Sequence, residues 1–492
     1  MARETLGGTV DHTHGGTDAV DPPAGDERSH DLDARPLSAS PLVVVVLVGL
    51  LVLLVLGHAE VALAGAVVLP AVGAILNRPQ RGVLLLALLV PFDGVLVVVS
   101  LPSGFEAWKE TLVVITLLAT FVCPGRSRAP KGRALPGWTP ALVAFIAIAL
   151  IWTALRPDIQ GLLGLKTACF YMLLPIIVWR CPLGARDRDR LVSILMGTGF
   201  VCAFVGLAQQ VVGADYLNGL GYAYNETIRF AGSYLRSFST FDQPFPFALF
   251  LMVVLLVGLP VALGASHRAR NRAFLLATPV YVAGMLSAFV RSAILGLAIG
   301  LLYLGVRRYR ALLLAFPVAL IAIVLVGSLG GAVGGPFGSA ASLRQRSAGW
   351  EENLVQITEH PLGAGIGDTG AAAATASEFT VVDDIYQPDN YYFKTAYELG
   401  VIGLWMLVLV LAAAFVATHR AGNRIRGPDQ PLFDGIAAQI LGAATAALVS
   451  SYFDIFPVDA LFWLLVGVAA STAATAELGR SEPPSGFVDA DA

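Results

Sequence analysis

Long apolar runs, repeated along almost the whole chain, limit what this sequence can fold into. A helix that crosses a bilayer needs about 20 mostly apolar residues, within a range near 17–25. Fourteen stretches read as candidate spans: 41–57, 61–77, 82–101, 110–123, 138–155, 162–179, 191–212, 244–264, 273–290, 292–306, 311–329, 395–417, 432–450 and 460–476. The first two are short and joined by a tight turn, His58-Ala59-Glu60, so they are either two spans or one re-entrant hairpin. Charged residues make up only 14% of the 492, against roughly 25% in soluble domains. The expected fold class is all-α: a polytopic membrane helical bundle of 12–14 transmembrane helices, with a large extracytoplasmic loop containing short helices. A soluble enzyme is excluded.

Residues 1–40 differ from the rest. They hold eight acids, many Gly and Pro, and no apolar run. Such a segment buries too little surface to offset its ordering entropy, so a disordered cytoplasmic tail is expected. Residues 41–476 then form the transmembrane domain, and 477–492 a second cytoplasmic tail. The net charge of -3 argues against nucleic acid as a partner. Four cysteines, Cys123, Cys169, Cys181 and Cys202, lie outside the long polar loops, so no disulfide framework is expected. The His and Cys residues show no zinc spacing, and neither a metal nor a cofactor is expected.

Lys and Arg concentrate in cytoplasmic loops of membrane proteins. With the N-terminus inside, six loops fall on the cytoplasmic side and carry 19 of the 32 Lys and Arg. Nine cations then fall outside or at the outer membrane edge: Lys109, Arg156, Lys166, Arg229, Arg236, Arg291, Arg344, Arg346 and Lys394. Topology does not require any of these. No internal repeat or matched pair of broken spans suggests an inverted-repeat transporter.

Two outer loops are long, 213–243 and 330–394. The first is rich in Tyr, Phe and Asn and holds Arg229 and Arg236. Rings stack on sugars and guanidinium forks grip phosphates; an interfacial aromatic belt is the alternative. In the second, an amphipathic helix is expected from Leu343 to about Glu359, with Leu343, Trp350, Leu354 and Ile357 on one face and Pro361 ending it. The glycines of Pro361–Gly367 read as a sharp external turn rather than a nucleotide fingerprint, since no strand precedes them. Lys394 and Glu398 are spaced to pair. Arg291 sits between two apolar runs, as either a snorkelling cation or a functional one. Asp93 lies inside a span or at its broken outer end, as Pro91 and Gly94 suggest. Asp454 and Asp459 read as solvated loop acids.

Four motifs together resemble the O-antigen ligase and polysaccharide polymerase superfamily of bacterial membrane proteins. They are LRSFSTFDQPFPFALFL (235–251), SAFVRSAILGLAIGLL (287–302), RQRSAGWEENLVQITEHPLGAGIG (344–367) and DNYYFKTAYELGVIGLWMLVL (389–409). The resemblance implies a metal-independent glycosyltransferase of the bacterial cytoplasmic membrane with its site facing outward. Its donor would be a polyprenyl-diphosphate-linked oligosaccharide and its acceptor a glycan, both met among membrane lipids. By position, Arg236, Arg291, Arg346 and Arg344 match the family's diphosphate-binding arginines. Asn390, Tyr391 and Trp350 are the expected sugar contacts. The ligases carry His-Asn where this chain has Asp389-Asn390, and that histidine is their proposed catalytic residue. The departure favours repeat-unit polymerisation over ligase-type transfer to a lipid or wall acceptor. Asp389 is the expected base, with Glu398 the alternative. A lipid or glycan flippase would instead need charges spread through its spans, and a scaffold would need no outer arginines.

Overall fold

The computed structural model describes residues 59–98, 107–314, 354–376 and 388–481, with short pieces between 317 and 325. The chain divides into two compact units, Met1–Leu69 and Pro70–Ala492. Only residues from Ala59 onward are described in the first. The expected N-terminal tail, the span at 41–57 and most of the span at 311–329 lie outside the described residues.

The elements run in order as α1 (Ala59–Asn77), α2 (Pro79–Leu89), α3 (Val95–Val98), α4 (Trp108–Val122), α5 (Thr139–Leu155), α6 (Ile159–Cys169), α7 (Leu173–Arg180) and α8 (Ala185–Gly219). A two-stranded hairpin follows, β1 (Phe230–Ala231) and β2 (Tyr234–Leu235), with Phe230 opposite Leu235. Then come α9 (Pro244–Gly264), α10 (Ala269–Ser287), α11 (Arg291–Arg307), α12 (Gly370–Ala376), α13 (Tyr391–Arg424), α14 (Gln430–Ala446) and α15 (Val458–Ser481). This is an all-α polytopic membrane protein. Among the described residues, five helical stretches are long and apolar enough to cross a bilayer: Ile159–Arg180, Ala185–Gly219, Pro244–Gly264, Tyr391–Arg424 and Val458–Leu478. Among the described residues, the stretches at 61–77, 110–123, 138–155, 273–290, 292–306 and 432–450 form helices whose limits lie within a few residues of the sequence reading.

Local chemistry sets the helix ends. Pro79 and Pro244 open α2 and α9 directly after extended residues, where a missing N–H costs nothing. Asp158 caps α6 by accepting from the Gly161 N–H at 2.7 Å. The expected span at 82–101 is broken. A 3₁₀ turn over Val90–Phe92 precedes Asp93, which sits at the broken end. Gly94 is required there, because a Cβ would lie 1.9 Å from the Phe241 carbonyl carbon.

α9 is the centre of the bundle, with a mean hydropathy of 2.7 and 83% of its apolar window buried. It packs against α8, α10, α11 and α14. Small residues bring α11 and α14 into close contact, and a Cβ on Gly296 would fall 2.6 Å from the Gly442 carbonyl oxygen.

Ion pairs divide the bundle into two ends. Arg188–Asp429, Arg270–Asp189, Arg307–Asp434 and Arg424–Glu477 join segments assigned to the cytoplasm. Lys109–Asp93, Lys166–Glu110, Arg156–Asp368 and Lys394–Asp454 join segments assigned to the outside. None of these pairs crosses between the two sets.

Candidate functional site

The β1–β2 hairpin delivers Arg236 to a corner of the bundle. Its own N–H donates to the Arg229 carbonyl at 2.8 Å, and the Ser237 N–H donates to the Ser287 carbonyl at 3.0 Å. Gln209 fixes the next residues, since its Oε1 accepts from the Phe238 and Ser239 N–H groups. Arg236 is 4% exposed. Its Nε donates to the Ala288 carbonyl at 3.1 Å, and its guanidinium lies 5.0 Å from the centre of the Phe245 ring.

Opposite it, α10 ends at Ser287 and α11 starts at Arg291. The short corner between them holds Phe289 at φ 54°, a left-handed conformation that costs a non-glycine residue energy. Its ring stacks on Tyr234 at 6.0 Å. The corner sets Arg291 at the first position of α11, close enough to Arg236 to act on it electrostatically. Burial, then the charges of Arg229 and Arg291, push the Arg236 guanidinium down to about 10, so it is still charged at neutral pH. Arg229, whose Nε donates to the Glu226 carbonyl, is the member of this trio that the sequence reading did not select.

A second group lies at the start of α13. Asn390 caps the helix, accepting from the Tyr392 and Phe393 N–H groups at 2.9 and 3.2 Å. Asp389, just before it, is exposed. Tyr391 is buried, its ring 5.2 Å from Phe453. Asn390 and Tyr391, the expected sugar contacts, are thus engaged in capping and packing. Lys394 and Glu398 do pair, at 3.8 Å, but the closer partner of Lys394 is Asp454 at 2.6 Å. Glu398 also accepts from the N–H and hydroxyl of Thr369 at 3.1 and 2.7 Å. Asp454 and Asp459 are therefore not solvated loop acids. The Asp454 side chain is 3% exposed, and Asp459 is 4% exposed and accepts from the Ala460 N–H at 2.6 Å. A lysine sixty residues away draws Asp454 inward, and the sequence gives no local sign of it.

The expected glycine turn at Pro361–Gly367 forms, but as a packed clasp. α13 is interrupted at Gly400, φ 73°, which frees carbonyls from the helix ladder. The Ala364 and Gly365 N–H groups donate to the Tyr397 and Glu398 carbonyls at 2.7 and 3.2 Å, and the Val401 N–H donates to the Pro361 carbonyl at 3.0 Å. A Cβ on Gly400 would meet the Leu362 backbone at 2.4 Å. The far side of the clasp is held by Asp368, which takes Arg156 Nη1 on both oxygens at 2.7 and 2.6 Å. Burial raises the Asp368 carboxyl above its usual range, with Arg156 opposing. Residues 354–359 are helical and end before Pro361 as expected. Arg344, Arg346 and Trp350 lie outside the described residues.

Lys109, Arg156, Lys166 and Lys394 each have a carboxylate partner. Arg229, Arg236 and Arg291 gather at one corner, within electrostatic reach of one another. Among the described residues, no three His, Cys, Asp or Glu side chains are grouped as metal ligands.

Residues 273–408 match the family described as O-Antigen ligase. That stretch includes Arg291, Arg344, Arg346, Trp350, Asp389, Asn390, Tyr391 and Glu398, but neither Arg229 nor Arg236. The chain is also 36% identical over 75 residues to an O-antigen polymerase of Salmonella muenchen, an alignment covering 15% of this chain and 18% of that relative. The chain thus spans under a fifth of that relative's length. The similarity to the O-antigen ligase and polymerase superfamily that the motifs suggested is supported over this region.

Proposed function

We propose that the protein is a glycosyltransferase that moves a glycan from a polyprenyl-diphosphate donor to an acceptor sugar at the outer face of the bacterial cytoplasmic membrane. The reaction assigned is polymerisation of polysaccharide repeat units. The observation that carries this reading is the convergence of Arg229, Arg236 and Arg291 around the α10–α11 corner. A diphosphate offers such a cluster charge and fork-shaped acceptors together. The family match over Arg291 and over the segment 389–398 supports it further. Arg344 and Arg346 are assigned to the same diphosphate, and Trp350 to the sugar.

In the transfer, the bond between the anomeric carbon and the diphosphate oxygen breaks as the acceptor oxygen bonds to that carbon. The arginines stabilise charge gathering on the diphosphate. The acceptor hydroxyl gives its proton to a carboxylate late in an oxocarbenium-like transition state. Asp389, exposed at the mouth of α13, is assigned as that base. Glu398, with one oxygen holding Thr369 and the other facing Lys394, is assigned to positioning rather than proton transfer.

The test is reconstitution in liposomes with a polyprenyl-diphosphate-linked oligosaccharide. A ladder of products establishes polymerisation, and a single step to a separate acceptor establishes ligase-type transfer instead. Asp389→Asn lowers the rate by about 10²–10⁴ if it is the base. An unchanged rate removes Asp389 from the chemistry. Bilayer crossing of the donor without any product defeats the transferase reading altogether.

A further inference from the structure

Beside the arginine corner lies a cavity of about 470 Å³, within the range of roughly 300–1,000 Å³ usual for small-molecule sites. Phe245 joins the two, lining the cavity while Arg236 sits over its ring. The character of the cavity is opposite to that of the corner. Five acids line it: Asp93, Glu110, Asp242, Asp454 and Asp459. Lys109 takes Asp93 at 2.8 Å and Lys166 takes Glu110 at 2.6 Å, while Lys394 holds Asp454. Burial and then the nearby Asp93 raise the Asp242 carboxyl above its usual range. A diphosphate does not fit such a lining.

Three residues of this lining each hold a buried side-chain oxygen without a hydrogen-bond partner: Oε2 of Glu110, the hydroxyl of Tyr171 and Oδ1 of Asp454. Buried polar groups are nearly always paired, and a carboxylate oxygen left open calls for a donor. The larger cavity at the opposite end, about 670 Å³, offers a control. Its lining is charged too, but Arg188 and Arg268 are paired with Asp429 and Asp189, and no such atom lines it. Unmet polar groups therefore mark the cavity at the arginine end rather than cavities of this bundle in general.

We propose that the cavity bounded by Glu110, Tyr171 and Asp454 is the acceptor subsite, taking an uncharged, hydroxyl-rich sugar of the glycan. Sugar hydroxyls donate to the two open carboxylate oxygens, and the Tyr171 hydroxyl donates or accepts as the ring requires. The cations then hold the donor's diphosphate on one side of Phe245 and the acids hold the acceptor on the other. This assignment rests on the transferase reading above.

The test uses the full chain in lipid nanodiscs and two probes. One is a phosphate-free oligosaccharide released from the host's own surface polysaccharide. The other is polyprenyl diphosphate without sugar. Tyr171→Phe, which keeps the ring packing on Phe456, and Glu110→Gln each weaken the oligosaccharide by about three- to tenfold and leave polyprenyl diphosphate unchanged. Thermal melting of each variant checks folding. If the wild-type protein does not bind the free oligosaccharide, or both variants bind it equally well, the cavity holds water only and the proposal is overturned. Binding of the sugar only when attached to its carrier also overturns it, by making this a donor subsite. Arg236→Ala separates the two readings. Unchanged polyprenyl diphosphate binding there defeats the arginine assignment, while a Tyr171-dependent oligosaccharide affinity still supports the acid cavity.

Discussion

The two ends of the bundle hold similar residues and use them differently. At one end, Asp434 is 1% exposed and lies between Arg307 at 2.6 Å and Arg308 at 3.2 Å. Asp187 is shared by Arg78 and Arg190, and Asp189 by Arg268 and Arg270. Cations there meet carboxylates, and the charges cancel within the protein. At the other end, three arginines share a corner, and residues lining the cavity next to them keep buried oxygens without a hydrogen-bond partner. Charge that is cancelled locally holds loops together. At this end like charges are grouped, cations on one side of the Phe245 ring and acids on the other.

That contrast can be broken by experiment. The largest expected effect is on transfer by Arg236→Ala or Arg291→Ala, a loss of about 10²–10³-fold with little change in melting temperature. If instead these variants melt much earlier and keep their rate per folded molecule, the arginine corner is structural like the opposite end. Next comes Arg307→Ala. It leaves a buried Asp434 short of a partner and should cost about 3 kcal/mol of stability, read by denaturant titration in detergent. A variant as stable as the parent would show that the pairing at that end is not structural. Gly400→Ala places a side chain at φ 73° against Leu362 and should cost about 1–3 kcal/mol. Hydrogen exchange should rise at the Ala364 and Gly365 amides if the clasp is released. Smallest is Arg424→Ala, because both partners of that pair are more than half exposed. Its effect should stay below about 1 kcal/mol and fade in high salt.

Much of this was legible in the sequence, for identifiable reasons. Apolar runs translate directly into helices, so most described spans lie where hydrophobicity puts them. Pro91 and Gly94 announced the break at Asp93, Pro361 the helix end before it, and the spacing of Lys394 and Glu398 their pairing. These are local signals. Signals that depend on distant segments were missed. Asp454 looks like a loop acid until α13 brings Lys394 to it, and Asp459 until the fold buries it. The glycines of Pro361–Gly367 look like a surface turn until Gly400 offers them free carbonyls. Arg229 reads with Arg236 as an outer-loop cation suited to phosphate, but only the hairpin shows that it folds back beside Arg236. The acid cavity draws its lining from segments between Asp93 and Asp459, and no window along the chain contains it.

The clasp at Gly400 also bears on how such a chain can diversify. It ties Pro361–Gly365 to the broken backbone of α13 through main-chain bonds that hardly depend on side-chain identity, and Asp368 to Arg156 through a side-chain pair, so it anchors the middle of the long loop. Sequence before Pro361 can then lengthen, shorten or change composition without shifting Lys394, Glu398 or Asp454. Length and composition can vary upstream of a fixed joint, and the geometry at Lys394, Glu398 and Asp454 is inherited unchanged.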